Sequence, residues 1–114
     1  MNPSQAPIDI PTVPYFLVLL VPGRHWDQRE TFFAAHVAFI DRMAAANVVL
    51  LGGSFDAPVD GADGAYLLRT ATRAEAEAWA AQDPLVANGA YHARIVAWHL
   101  VGIAPGAIDP ALTG

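Results

Sequence analysis

Neither lysine nor cysteine occurs in the chain, and charged residues of any kind make up only 15% of its 114 residues. Without cysteine there are no disulfides, no thiolate nucleophile and no thiolate metal site, which fits a reducing compartment, and a cytoplasmic location is expected. Without lysine the cations are scattered arginines, from Arg24 to Arg94, against a net charge of -5. Neutralising phosphates takes clustered positive charge, so neither nucleic acid nor an anionic membrane surface is an expected partner. Long hydrophobic runs are missing as well. Tyr15 to Val21 is apolar throughout, but Pro14 and Pro22-Gly23 bound it, far short of the roughly 20 residues a membrane helix needs. No segment has the build of a signal peptide, and no repeat or nucleophile elbow is present.

What remains is strongly hydrophobic, at 54% apolar residues. That excludes disorder, and in one small domain it implies apolar surface covered by a partner. Residues 1–14, with four prolines, read as an extended arm, and 103–114, with two prolines and two glycines, as a tail without regular structure. The folded domain is expected over 15–102. Tyr15 to Val21 reads as a buried strand. Asp27 with Glu30 has the spacing of a capping box, and Phe33, His36, Val37, Ile40, Met43 and Ala44 then recur at three and four along a helix ending near Asn47. Val48 to Phe55 reads as a strand, Asp56 to Gly64 as a polar hairpin connection, and Ala65 to Thr70 as the returning strand. Thr72 with Glu75 is a second capping box before an alanine-rich helix through Ala81, and Tyr91 to Val101 is a long final strand.

Strand, helix, strand, strand, helix, strand is the order of the ferredoxin-like α+β sandwich, βαββαβ, with a four-stranded antiparallel sheet and two helices on one face. The last strand is apolar on both sides, with Tyr91, Ala93, Ile95, Ala97 and Val101 on one and Val96, Trp98 and Leu100 on the other. A sheet apolar on both faces is covered on both. The expectation is a homodimer with facing sheets, a dimeric α/β barrel. The two helices run antiparallel in this topology, which brings Asp83, at the end of the second, near His36 on the inward stripe of the first. A carboxylate on one imidazole nitrogen holds the tautomer and leaves the other nitrogen for proton transfer. Each residue also has a plainer reading. A histidine on an apolar face serves as a hydrogen-bonded core residue, and Asp83-Pro84 is an N-cap followed by proline at the first helical position. A carboxylate has lone pairs for both tasks.

His36 on the first helix, Leu50-Leu51-Gly52-Gly53 in the second strand, Glu75 to Trp79 on the second helix, Asp83-Pro84-Leu85-Val86 with Gly89, and the final strand to Trp98 resemble the YCII-related (YciI-like) family. The resemblance spans Tyr15 to Val101. It implies a ferredoxin-like dimer with His36 and Asp83 as its active-site pair, and an activity of the lyase type in which proton abstraction leads to elimination from a small cyclic or aromatic compound. Two positions depart from the family pattern. Where relatives carry an arginine about a turn before the histidine, this chain has Phe32 and Phe33, with Arg29 further off. Where relatives carry proline after the glycine ending the second strand, it has Ser54. An apolar pocket poorly suited to acids is the expectation.

Ser54 and Gly53 are the candidate substrate-binding positions, Ser54 as a hydrogen-bond donor and equally readable as a polar strand terminus. Gly52-Gly53 lacks the third glycine and following helix of a nucleotide loop. His25, His92 and His99 form no pair at metal-ligand spacing, so no metal is expected. The sequence thus points to a small cofactor-independent enzyme of the lyase or isomerase type, with a small-molecule substrate, His36 as the proton-transferring base and Asp83 as its orienting partner. The competing reading is a non-catalytic small-molecule-binding or dimeric interaction module.

Overall fold

A computed structural model of the protein describes residues 14–102 and 104. The arm expected over 1–14 and the tail expected over 103–114 lie outside the described residues, apart from Pro14 and Ala104. Four strands and three helices follow in the order β1 (Pro14–Pro22), α1 (Arg29–Ala45), β2 (Val49–Val59), β3 (Ala62–Leu68), α2 (Arg73–Ala81), α3 (Pro84–Ala87) and β4 (Tyr91–His99). The strands form one antiparallel sheet in the order β2-β3-β1-β4, and the architecture is the expected ferredoxin-like α+β sandwich.

Both faces of the sheet are apolar, because β1 alternates large side chains between them. On the helix side Phe16, Val18 and Leu20 of β1 pack with Val49, Tyr66, Leu68, Ala76, Ala80 and Leu85. Small alanines on α2 let that helix lie close to the strands. On the other side Tyr15, Leu67 and Leu100 are buried, with Leu17 and Leu50 against them. Leu51 and Trp98 remain 53% and 49% exposed. Among the described residues no helix covers that second face.

Several elements begin or end elsewhere than the local pattern suggested. β2 continues to Val59 instead of stopping at Phe55, and β3 starts at Ala62, so the connection expected over Asp56 to Gly64 contracts to two residues. Asp60 and Gly61 occupy them with φ of 50° and 83°, the left-handed pair that matches the twist of a two-residue hairpin. Asp56 and Pro58 are tolerated within β2 because it is an edge strand. β4 ends at His99 rather than Val101, and β3 at Leu68 rather than Thr70.

The capping box expected at Asp27 does not form. A single 3-10 turn, Trp26–Gln28, precedes α1, and Gln28 stands at the cap without a side-chain bond, because Gln28 N donates to His25 O at 2.9 Å and tightens the chain there. At the second box, Glu75 N does donate to the Thr72 hydroxyl, at 3.2 Å. The inward face of α1 is also rotated from the expected stripe. Phe39 is buried, and Phe32, Ile40 and Met43 pack on the core, whereas Phe33 and Val37 are exposed.

The two adjacent glycines within β2 differ in what surrounds them. A Cβ built on Gly52 meets the Cβ of Tyr66, its cross-strand partner, at 2.7 Å, while one built on Gly53 meets nothing within 4 Å. Gly52→Ala is therefore expected to lower the unfolding free energy by about 1–3 kcal/mol through overpacking, and Gly53→Ala to stay within about 0.5 kcal/mol of the parent, both read from urea denaturation. Equal effects of the two changes would refute this assignment.

Candidate active site

His36 lies in the middle of α1, and Asp83 sits in the short corner between α2 and α3. The sandwich brings these positions together across 47 residues of sequence, with His36 Nδ1 at 2.8 and 2.9 Å from the two oxygens of Asp83. Pro84 occupies the first turn of α3, and Asp83 caps that helix by accepting from Leu85 N at 2.9 Å. Tyr66 of β3 donates its hydroxyl to Asp83 Oδ2 at 3.1 Å. Asp83 is 0% exposed, so this carboxylate is buried with donors from α1, β3 and α3 converging on it. Taking a carboxylate out of water costs several kcal/mol unless such donors replace its hydration.

A carboxylate only accepts hydrogen bonds, so the arrangement places the proton of a neutral His36 ring on Nδ1 and the lone pair on Nε2. The His36 side chain is 14% exposed, enough for a ligand to reach the ring edge. Tyr66 contributes a second constraint. Burial above all, then the negative charge of Asp83 and the bond to it, push the Tyr66 hydroxyl far above the usual phenol range. It stays a proton donor to Asp83 and takes no part in titration near neutral pH.

His36 lines a cavity of about 390 Å³, whose apolar wall includes Leu20, Phe33, Val37, Ile40 and Leu85. A single aromatic ring fits such a volume. Gly52, Gly53 and Ser54 line the same cavity from β2. The structure thus gathers the four residues singled out in the sequence, His36 and Asp83 as a bonded pair and Gly53 and Ser54 on the wall nearby.

Three further features were not read from the sequence. Tyr66 lies within the strand expected over Ala65 to Thr70, and no local signal marks its hydroxyl. Arg29 also lines the cavity, so the pocket expected to be apolar carries a guanidinium on its wall. Arg29 precedes His36 by seven residues, two helical turns, so the two share one face of α1, and that spacing was the available signal. Its guanidinium lies 3.5 Å over the Trp26 ring and donates to Trp26 O at 3.1 Å. The third feature is a polar cluster at the cavity edge. Asp63 Oδ2 accepts from Tyr91 Oη at 2.8 Å and from Trp26 Nε1 at 3.1 Å. Burial first, and then the bond to Asp63, hold the Tyr91 hydroxyl above its ordinary range. Among the described residues, no three His, Asp or Glu side chains converge as metal ligands do.

A ferredoxin-like sandwich with a histidine on its first helix bonded to an aspartate after its second defines an α+β domain with a bonded His/Asp pair at a cavity. The sequence pattern of the YCII-related domain matches residues 13–98, and the chain belongs to that family. Among solved structures it resembles the 5-chloro-2-hydroxyhydroquinone dehydrochlorinase of Burkholderia phenoliruptrix, determined in complex with 2,5-dihydroxybenzoquinone. The TM-score is 0.56 at 17% identity, over 75% of this chain and 92% of that one. This likeness is one of fold. No curated protein matches the chain in sequence.

The three donors on Asp83 predict a large stability effect. Asp83→Ala removes a helix cap worth about 1 kcal/mol and strands buried donors, so a total loss of about 3 kcal/mol is expected. Chemical denaturation measures it. A loss below about 1 kcal/mol would show that water replaces the carboxylate and that the site is wetter than the packing indicates.

Proposed function

We propose that the protein is a small cofactor-independent lyase acting on a small cyclic or aromatic compound, with His36 as general base and Asp83 as its orienting partner. The observation that carries this reading is the bonded His36–Asp83 pair at the wall of a ring-sized cavity. His36 Nε2 accepts a proton from the substrate, and the electron pair left behind expels a leaving group from the neighbouring carbon as a new π bond forms. The imidazolium produced sits against a carboxylate already in place, so no reorganisation accompanies its charge. The proton then passes to solvent or to the leaving group, returning the neutral ring. Ser54 and Gly53 contact the substrate from β2, the serine through its hydroxyl.

The dehydrochlorination named for the structural neighbour is one reaction of this type, and membership in the YCII-related family agrees with it. We also propose that the protein works as a homodimer with facing sheets. Support comes from the second sheet face, where Leu51, Val96 and Trp98 are exposed beside the buried Tyr15, Leu67 and Leu100. Among the described residues no helix is long and apolar enough to cross a membrane.

Chloride release from 5-chloro-2-hydroxyhydroquinone is the probe reaction. His36→Gln is expected to lower kcat by about a thousandfold, the scale of a lost general base, with the far-UV circular dichroism and the oligomeric state unchanged. Turnover of His36→Gln within about threefold of the parent would overturn the assignment. Trp98→Glu, placed on the open face, is expected to convert the dimer to a monomer in light scattering. A parent protein that is already monomeric at micromolar concentration would remove the dimer proposal.

A further inference from the structure

The His36–Asp83 pair accounts for proton transfer but not for the choice of ligand, and the polar cluster around Asp63 has no part in the chemistry above. Asp63 lines the same cavity as His36. Its carboxylate is immobilised through one oxygen, since both Tyr91 Oη and Trp26 Nε1 reach Oδ2. Trp26 Nε1 also donates to Tyr91 Oη at 3.2 Å, closing a three-membered ring of contacts. Oδ1 is then the acceptor that a bound molecule meets, presented by side chains that are themselves held. Tyr91 is buried to 9% exposure, and Arg29 fixes the indole from above by lying on its face. This is a held acceptor in a cavity whose lining is otherwise largely apolar and also includes His36.

The charges of the cavity point the same way. Arg29, Glu30 and Asp63 line it, and Asp83 stands directly behind His36. That is three carboxylates to one guanidinium, and the guanidinium is drawn onto the Trp26 ring and carbonyl. A carboxylate or phosphate entering this space meets like charge in a partly desolvated setting, whereas a hydroxyl proton meets an oriented acceptor.

We propose that Asp63, held by Tyr91 and Trp26, is the specificity-determining residue of the cavity, accepting a hydrogen bond from a hydroxyl group of a neutral ring compound and turning away ring acids. This rests on the reading of the cavity as the substrate site. It does not depend on His36 being the base, so recognition and catalysis are measured apart. The ligand spans the cavity, with one hydroxyl on Asp63 Oδ1 and its reacting edge toward His36 Nε2. Tyr91 and Trp26 are positioning residues, acting through Asp63.

The test uses His36→Gln protein, which separates binding from turnover, and two ring probes under nitrogen at neutral pH, 1,2,4-trihydroxybenzene and 2,5-dihydroxybenzoate. Dissociation constants are measured by NMR titration. The triol is expected to bind about tenfold more tightly than the acid, and adding Asp63→Asn is expected to bring the two within about twofold by removing the repulsion and weakening the acceptor. Asp60→Asn serves as a control, since Asp60 is a hairpin carboxylate paired with Arg94 at the surface, and it is expected to leave the ratio unchanged. Tyr91→Phe is expected to give a ratio between those of the parent and Asp63→Asn, because it loosens Asp63 without removing it. Equal binding of both probes by the parent, no detectable binding of the triol at millimolar concentration, or a ratio unaffected by Asp63→Asn would each overturn the proposal. If His36→Gln keeps full turnover while the binding ratio behaves as expected, the base assignment fails and the role of Asp63 stands.

Discussion

The buried carboxylate of Asp83 is the interaction on which the site depends. It is fully enclosed, and it is reached by a ring nitrogen from α1, a phenol from β3 and a backbone amide from α3. A carboxylate in that position is unfavourable unless each donor is aligned, so the relative placement of three elements is coupled to one side chain. The coupling also runs outward. Pro84 starts α3 at the residue after Asp83 and so fixes where the cap lies, and Gly52 lets Tyr66 approach β2 closely enough to keep its hydroxyl on the carboxylate. The histidine orientation is therefore tied to the packing of β2 on β3 and to the start of α3.

The cavity exists because the helix layer does not cover the sheet completely. Phe33 and Val37 on α1 stand clear of the core, and β2 opposite them carries two glycines and a serine where bulky side chains would fill the space. Small residues on the strand and large ones on the helix leave room between the layers for a ring. At the edge of that space, Asp63 is held by Tyr91 and Trp26, so a ligand meets fixed polar groups from two directions and apolar surface elsewhere, the usual composition of a small-molecule site.

Much of this was legible in residue order. The βαββαβ succession follows from periodicity and turn chemistry, and the two-sided hydrophobicity of the sheet follows from β4 alone. The approach of Asp83 to His36 was a consequence of antiparallel helices, before any distance was known. Other features were hidden for identifiable reasons. Asp56 and Pro58 read as loop residues, yet an edge strand tolerates them, and the turn is carried by the two left-handed residues Asp60 and Gly61. Asp27 had the spacing of a cap, but a competing 3-10 turn took its place. Phe32 and Phe33 stand nearer His36 in sequence than Arg29, but Arg29 shares its helix face because seven residues is two turns.

Local pattern by itself determined the order of the four strands and the two longer helices, and roughly which side of each helix turns inward. Those properties depend on neighbours three or four positions apart. The sequence also marked His36 and Asp83 as polar groups in apolar company. Only the tertiary structure decided that Tyr66 is the third side chain of that pair's network, that Arg29 faces the cavity, and that Asp63 is clasped by residues 28 and 37 positions away. Hydrogen bonds of that span are set by strand register and by how layers stack. Neither is encoded in any short window, because each is the outcome of packing the whole domain at once.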